Sequence, residues 1–193
     1  IQRMLWENTS YEWPIIGYRD TVKSLTSQKI HAYIDKFYQP QSMLLTIVGN
    51  VNTDQAIKEA ERLLGKKKNT RDIIHTAPFA LPEIQGPSIK IIKGKWNKVY
   101  LGAAFPIPDL KAAQTAGLEM LAQLLCGDET SHLYRLFKYE KRLVDDIGMY
   151  PMTLERSGMM YIHATLDADK VQEFWPALMK ELANFTPSTF SNR

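Results

Sequence analysis

Residues 158–166 hold the pattern that most restricts what this chain can fold into. Met160, Ile162, Ala164 and Leu166 alternate with polar or amphipathic positions. A period of two defines a strand with one face against a core. Residues 143–154 precede it as a second strand, and Glu155-Arg156-Ser157-Gly158 supplies the turn between them. Together they predict a hairpin, which commits this part of the chain to antiparallel pairing.

The segments around the hairpin extend the same block. Strands are expected at Ile89–Lys93 and Lys98–Ile107, with Gly94-Lys95-Trp96-Asn97 as their turn and Pro106 and Pro108 closing the second. Asp109 is the expected cap of a long helix that faces inward with Ala113, Gly117, Met120, Leu121 and Leu124 and stops at Gly127. Thr130 or Ser131 then caps a shorter helix carrying Leu133, Leu136 and Phe137. A last helix, about 168–185, should bury Val171, Phe174, Trp175, Leu178 and Leu182, with Pro176 kinking or locally opening it.

An earlier block reads α-β-α. Residues 26–38 form an amphipathic helix, with Thr26 as N-cap, Leu25 and Ile30 as a hydrophobic staple, and Ile30, Ile34 and Phe37 on one face. Residues 43–49 are continuously apolar and read as a buried central strand ended by Gly49-Asn50. Asn52 caps the next helix with Gln55 at the capping-box position, and Gly65 stops it. Residues 67–88 then lose all periodicity and contain Pro78, Pro82, Gly86 and Pro87, as a linker does. Over 20 residues is long for a loop inside one domain, so this stretch divides the chain in two. Strands in hairpins and helices in runs define an α+β fold, a two-layer α/β sandwich with a mixed, mainly antiparallel sheet.

Composition excludes several functions. A net charge of +3 argues against nucleic acid, and the basic run Lys66-Lys67-Lys68 follows a helix end, where cations favour the dipole. No aromatic residues interleave with it. No apolar stretch approaches the roughly 18 residues of a membrane span. Cys126 is the single cysteine, which removes internal disulfides and cysteine-built zinc cages. The chain does not begin with Met, and we read it as a piece of a longer polypeptide.

No complete active site emerges from spacing. The nearest two of the four histidines, His132 and His163, stand 31 positions apart, whereas a helical zinc site needs two His one turn apart. His31 falls on a helix surface and His163 on a strand; each reads as a structural or solvated side chain. Asp145 and Asp146 are adjacent on a strand and so point to opposite faces. Asp128-Glu129 precedes a helix, where a capping role suffices. Ser131 lacks a nucleophile elbow.

The order of the segments nevertheless resembles a known family. Tyr11-Glu12-Trp13-Pro14-Ile15-Ile16-Gly17, Leu25 to Ile30, Phe37-Tyr38-Gln39-Pro40 and Leu45-Thr46-Ile47-Val48-Gly49-Asn50-Val51 stand in sequence. Leu101 to Pro106, Leu124 to Leu136 and Tyr139-Glu140-Lys141 follow. Over about residues 11–185 this is similar to the C-terminal segment of the pitrilysin and mitochondrial-processing-peptidase family of zinc metallopeptidases, and specifically to its bacterial two-lobe members.

The resemblance implies a lobe of LuxS/MPP-like type, with residues 1–66 as the end of a first lobe, 67–88 as a linker and 89–193 as the start of a second. It implies no catalytic residue, metal ligand or cofactor in this chain. The zinc, held by an inverted H-x-x-E-H motif and a downstream Glu, would belong to the parent or to a partner chain. This segment would be inactive alone and would help form a peptide-binding chamber.

Aligning on Ser131 and Leu133 places Lys138 and Asp145 where family members use an Arg and a Tyr to grip the substrate backbone. Lys lacks the bidentate guanidinium, and Asp would repel rather than donate. Implied partners are a peptide or unfolded polypeptide substrate and a catalytic lobe or partner subunit, with no nucleic acid and no membrane span. The residues leave the compartment unknown; the resemblance implies the bacterial periplasm or cytoplasm and favours the periplasm.

Two other readings stand beside this one: a non-enzymatic scaffold lobe that takes an extended peptide at the edge of Lys98–Ile107, and an unrelated α+β binding module. Because the two lobes share a fold, residues 26–65 could also complete the sheet of residues 89–166, within one chain or by exchange in a homodimer.

Overall fold

The computed structural model describes residues 1–70, 72 and 80–185. The chain divides into two units, one formed by Ile1–Glu12 with Leu81–Arg193 and the other by Trp13–Ala80.

The first unit starts with a short helix, α1 (Gln2–Leu5). Its sheet has three strands, β1 (Val99–Ile107), β2 (Asp146–Thr153) and β3 (Gly158–Leu166), in the order β1-β3-β2, all antiparallel. The hairpin at residues 154–157 forms where the alternation placed it, closed by Leu154 N–H donating to the Ser157 carbonyl at 2.8 Å. Ile162, Ala164 and Leu166 are buried on one face of β3, and Tyr161, His163 and Thr165 are half-buried on the other. Pairing carries this parity across the sheet. Leu101 and Ile147 flank Ala164, while Gly102 and Gly148 flank His163.

Helices cover the inward face. They are α5 (Thr115–Cys126), a helix begun by His132–Tyr134 and continued as a π-helical turn over Arg135–Glu140, and α7 (Val171–Asn184). We call the second of these α6, and α2 to α4 belong to the other unit. Leu125, Leu133, Phe137, Ile162, Phe174 and Leu178 anchor one continuous core. Phe137 and Phe174 meet edge to face at 5.1 Å, a geometry favoured by the ring quadrupoles. This is the α+β layering expected from the sequence.

Several local expectations are corrected. Ile89–Lys93 forms no strand, and Ile89 is 89% exposed. Among the described residues the segment has no pairing neighbour, and a strand's backbone groups need one. The 109–114 stretch is a turn, with Asp109 Oδ1 accepting from Lys111 N–H, so α5 starts only at Thr115. That start rotates its buried stripe to Thr115, Ala122 and Leu125, leaving Ala113, Gly117, Met120 and Leu124 outside the core while Leu121 packs against it. Ser131 is the N-cap residue of α6, but its hydroxyl donates backward to the Asp128 carbonyl. α7 runs through Pro176 and buries Phe174 and Leu178, with Trp175 on the solvent side.

The other unit holds α2 (Arg19–Lys23), α3 (Ser27–Phe37) and α4 (Thr53–Leu64). Both expected caps are made. Thr26 Oγ1 accepts from Lys29 N–H at 3.2 Å, and Asn52 Oδ1 accepts from Gln55 N–H at 3.0 Å. Gly65 follows α4 as its C-cap. The apolar faces are not buried; Ile30, Phe37 and Ile57 all remain exposed. Residues 43–49 are not a buried strand: Leu44 is 92% and Val48 90% exposed. Among the described residues they join no strand pair. The apolar run was legible, but strand formation needs a neighbour that the described residues do not bring to it.

Candidate functional site

Lys138 and Asp145 take different partners. Lys138 lies in the π-helical turn of α6, where an extra residue per turn re-aims side chains. Its Nζ donates to Tyr134 Oη at 2.5 Å and sits over the Tyr134 and Tyr139 rings at 4.6 and 5.8 Å. Tyr139 Oη in turn donates to Glu129 at 3.0 Å. The bond to Tyr134 is the main reason the Lys138 ammonium is held above its ordinary range, and Glu129 raises the Tyr139 phenol. The turn ends at Arg142, whose φ of +53° is a left-handed conformation uncommon for a residue with a Cβ.

Asp145 belongs to an ionic clasp at the end of the sheet. Lys98, one residue before β1, reaches Asp145 at 2.8 Å and Asp167, one residue after β3, at 2.6 Å. Lys170 adds a second contact to Asp167 at 3.3 Å. The Asp145 and Asp167 carboxylates push Lys98 upward, and Lys98 followed by Lys170 holds Asp167 below the usual carboxylate range. The clasp ties together the ends of all three strands.

The histidines are dispersed. His132 Nε2 faces Glu181 at 3.3 Å, and His163 Nε2 faces Asp146 at 3.7 Å. Each is a pair without a third ligand, and among the described residues no group of three or more His, Cys, Asp or Glu is placed to hold a metal ion. His75 lies outside the described residues. The residues described do not fit a catalytic zinc, which takes three protein ligands. Cys126 is largely enclosed, and burial, with a smaller contribution from Asp146, pushes its thiol up to about 12. It is therefore a neutral packing group at physiological pH.

The sheet face turned away from the core holds a feature that spacing did not reveal. His163 occupies the middle strand with glycines on both sides, Gly102 and Gly148. A Cβ at Gly148 would meet His163 Cε1 at 2.3 Å, and one at Gly102 would meet Tyr161 Oη at 2.8 Å. Glycine at both positions lets the rings of β3 lie across the sheet. Tyr161 stacks on His163 at 6.0 Å and meets Tyr150 at 5.3 Å. Burial, then Tyr150, raises the Tyr161 phenol. A shallow trough of about 330 Å³ runs over Gly102 between these rings and Tyr100. The signal was available in the sequence: Tyr161 and His163 are the outward residues of the strand with the clearest alternation.

The fold and these sites define an α+β domain with helices on one sheet face and no described metal centre. The chain belongs to the family described as the peptidase M16 inactive domain, whose model matches residues 24–191. It is 25% identical over 173 residues to an uncharacterized zinc protease of Rickettsia felis, covering 90% of this chain and 41% of that protein. It is 22% identical over 178 residues to the Helicobacter pylori zinc protease PqqE, covering 89% and 40%. Among solved structures, a protease from Helicobacter pylori matches with a TM-score of 0.79 at 22% identity, over 92% of this chain and 45% of that one. A peptidase M16 inactive domain from Pseudomonas fluorescens matches with a TM-score of 0.71 at 16% identity, over 95% and 45%. The chain thus spans less than half the length of the curated relatives it matches. Family membership removes the reading of an unrelated binding module.

Proposed function

We propose that this chain is the non-catalytic portion of a zinc metalloendopeptidase and helps form its peptide-binding chamber. The match of residues 24–191 to the inactive-domain model carries this reading. Residues 1–66 would be the end of one lobe, 67–88 a linker and 89–193 the start of the next. The zinc and the hydrolytic groups belong to a catalytic lobe or partner subunit, and the substrate is a peptide or unfolded polypeptide. One structural neighbour is a periplasmic protease, PqqL of Escherichia coli, which supports a periplasmic setting here too.

Two places on the domain suit contact with an extended peptide. Among the described residues strand β1 pairs only with β3, so its other edge offers backbone donors and acceptors for strand addition. Lys138, at the end of α6, is the cationic group for a substrate carbonyl or C-terminus, provided that it leaves Tyr134. Asp145 is held by Lys98 and serves the clasp.

The test is peptide binding without turnover. The purified chain should bind a labelled unstructured peptide in a fluorescence anisotropy titration, leave it uncleaved, and carry no stoichiometric zinc by metal analysis. Cleavage by the chain alone, with a zinc that chelators remove, would sink the reading.

A further inference from the structure

Strand β1 is an edge without the guards that edge strands carry. Among the described residues it pairs with β3 alone, and none of its nine residues is charged. Charged side chains and prolines within the strand are the usual protection against a second strand. The opposite edge, β2, has both: Asp146 at its start and Pro151 inside it. The only proline of β1 is Pro106, next to its end. Its core-facing residues are also incompletely covered. Val99, Leu101, Ala103, Phe105 and Ile107 share the parity of Ile162, Ala164 and Leu166 of β3. Those three are buried, whereas no residue of β1 is. The apolar layer reaches the edge half-covered, and a further strand beside β1 would extend it.

The residue order of β1 is close to symmetric about Ala103. Reversed on itself, the strand sets Val99 opposite Ile107, Leu101 opposite Phe105 and Ala103 opposite its own copy on the core-facing side. On the outward side Tyr100 falls opposite Pro106 and Gly102 opposite Ala104. Opposite residues of an antiparallel pair lie on the same face, so this register keeps both apolar rows together. It is the one register that pairs all nine residues. Larger side chains meet near the ends and small ones at the centre, where the Tyr161 hydroxyl lies close over Gly102. We propose that β1 pairs antiparallel with β1 of a second copy of this chain, about a two-fold axis at Ala103. Two three-stranded sheets then join in the order β2-β3-β1-β1-β3-β2. A two-fold contact uses the same patch on both subunits, which is what a self-matching strand supplies. The pairing does not depend on the chamber reading. It occupies the edge at which a peptide would add, so the second copy and a peptide exclude each other there.

The experiment weighs the full 193-residue chain by light scattering after gel filtration, across a dilution series. The mass should rise towards twice the 22.2 kDa of one chain as concentration increases. Amide exchange on the same samples should slow across residues 99–107 in the dimer and stay unchanged in β2. Cysteine pairing then fixes the register. Opposite Cα atoms of an antiparallel pair stand about 4.5–5.5 Å apart, within disulfide reach. Ala103→Cys, oxidised with diamide, should give a covalent dimer. Tyr100→Cys should give none, because its own copy lies about 20 Å away along the strand. The wild-type chain, whose Cys126 is largely enclosed, should give none either. A single-chain mass at every concentration would overturn the pairing and leave the chamber reading intact. So would a dimer whose β1 amides exchange unchanged, or one in which Tyr100→Cys crosslinks as readily as Ala103→Cys. If an unstructured peptide protects β1 while the mass stays that of one chain, the edge belongs to substrate and the proposal is wrong.

Discussion

The two units of this chain were assembled by different physics. In Ile1–Glu12 with Leu81–Arg193, three strands and three helices share one buried cluster, and Phe137, Phe174, Ile162 and Leu178 have no exposure at all. In Trp13–Ala80, α3 and α4 carry well-formed caps and amphipathic faces, yet neither buries a residue. The one buried residue among that unit's described residues is polar: Gln39, which accepts from Thr70 N–H at 2.9 Å and donates to the Asp35 carbonyl. One unit is held by long-range apolar packing; the other shows helix caps and a few polar links, such as Gln39 to Thr70, in place of an apolar core. Local signals suffice to make a helix, but only a second surface makes a core.

The contrast can be broken most directly by truncation. Phe174→Ala should cost about 3–5 kcal/mol, a large share of the stability of an ordinary domain, whereas Ile34→Ala on the exposed face of α3 should cost under about 0.5 kcal/mol. Urea denaturation followed by circular dichroism measures both. A large loss for Ile34→Ala would mean that α3 is covered in the native assembly, and the distinction between the units would fall. Next in size, Asn52→Ala removes the N-cap of α4 and should destabilise that helix by about 1 kcal/mol, read as faster amide exchange in residues 53–64 alone. Spread of that exchange to β3 would show the units to be energetically coupled.

The smallest effect concerns the clasp. Asp167 has a folded-state pKa below its unfolded one, so it contributes stability above the ordinary carboxylate range. That contribution is lost as pH falls through the lowered value, below about pH 4. Lys98→Met should therefore lower stability slightly at neutral pH and equally at pH 9 to 10, flatten part of the acid limb of the stability curve, and leave stability at the acid extreme little changed. An unaltered acid limb would show the clasp to be energetically silent, as many exposed ion pairs are. Finally, Cys126 should react slowly with a thiol reagent in the native state and rapidly in denaturant. Fast native labelling would place α5 outside the core and weaken the first unit's side of the comparison.

Much of the fold was legible before any coordinates. The β2–β3 hairpin, the caps at Thr26 and Asn52, and the inward residues of α7 other than Trp175 follow from periods and from the hydrogen-bonding chemistry of short polar side chains. The phase of α5 was not legible, because a turn at 109–114 displaced its start and a shift of a few residues rotates a helical stripe. The outward aromatic face was half legible: the residues of β3 could be assigned to it, but Gly102, Tyr100 and Tyr150 join it only through register.

The sequence by itself determined the longer helices α3, α4 and α7, where two strands turn back on each other, and that the four histidines are too far apart to form a short metal motif. Each of these depends on residues within about one turn or one hairpin of each other. The tertiary structure alone decided that residues 43–49 and 89–93 find no strand partner among the described residues, that Lys98 meets Asp145 and Asp167, and that tyrosines from all three strands share one face. Pairing and register are settled by contacts between residues distant in the chain, and a run of apolar side chains does not specify which neighbour it will find.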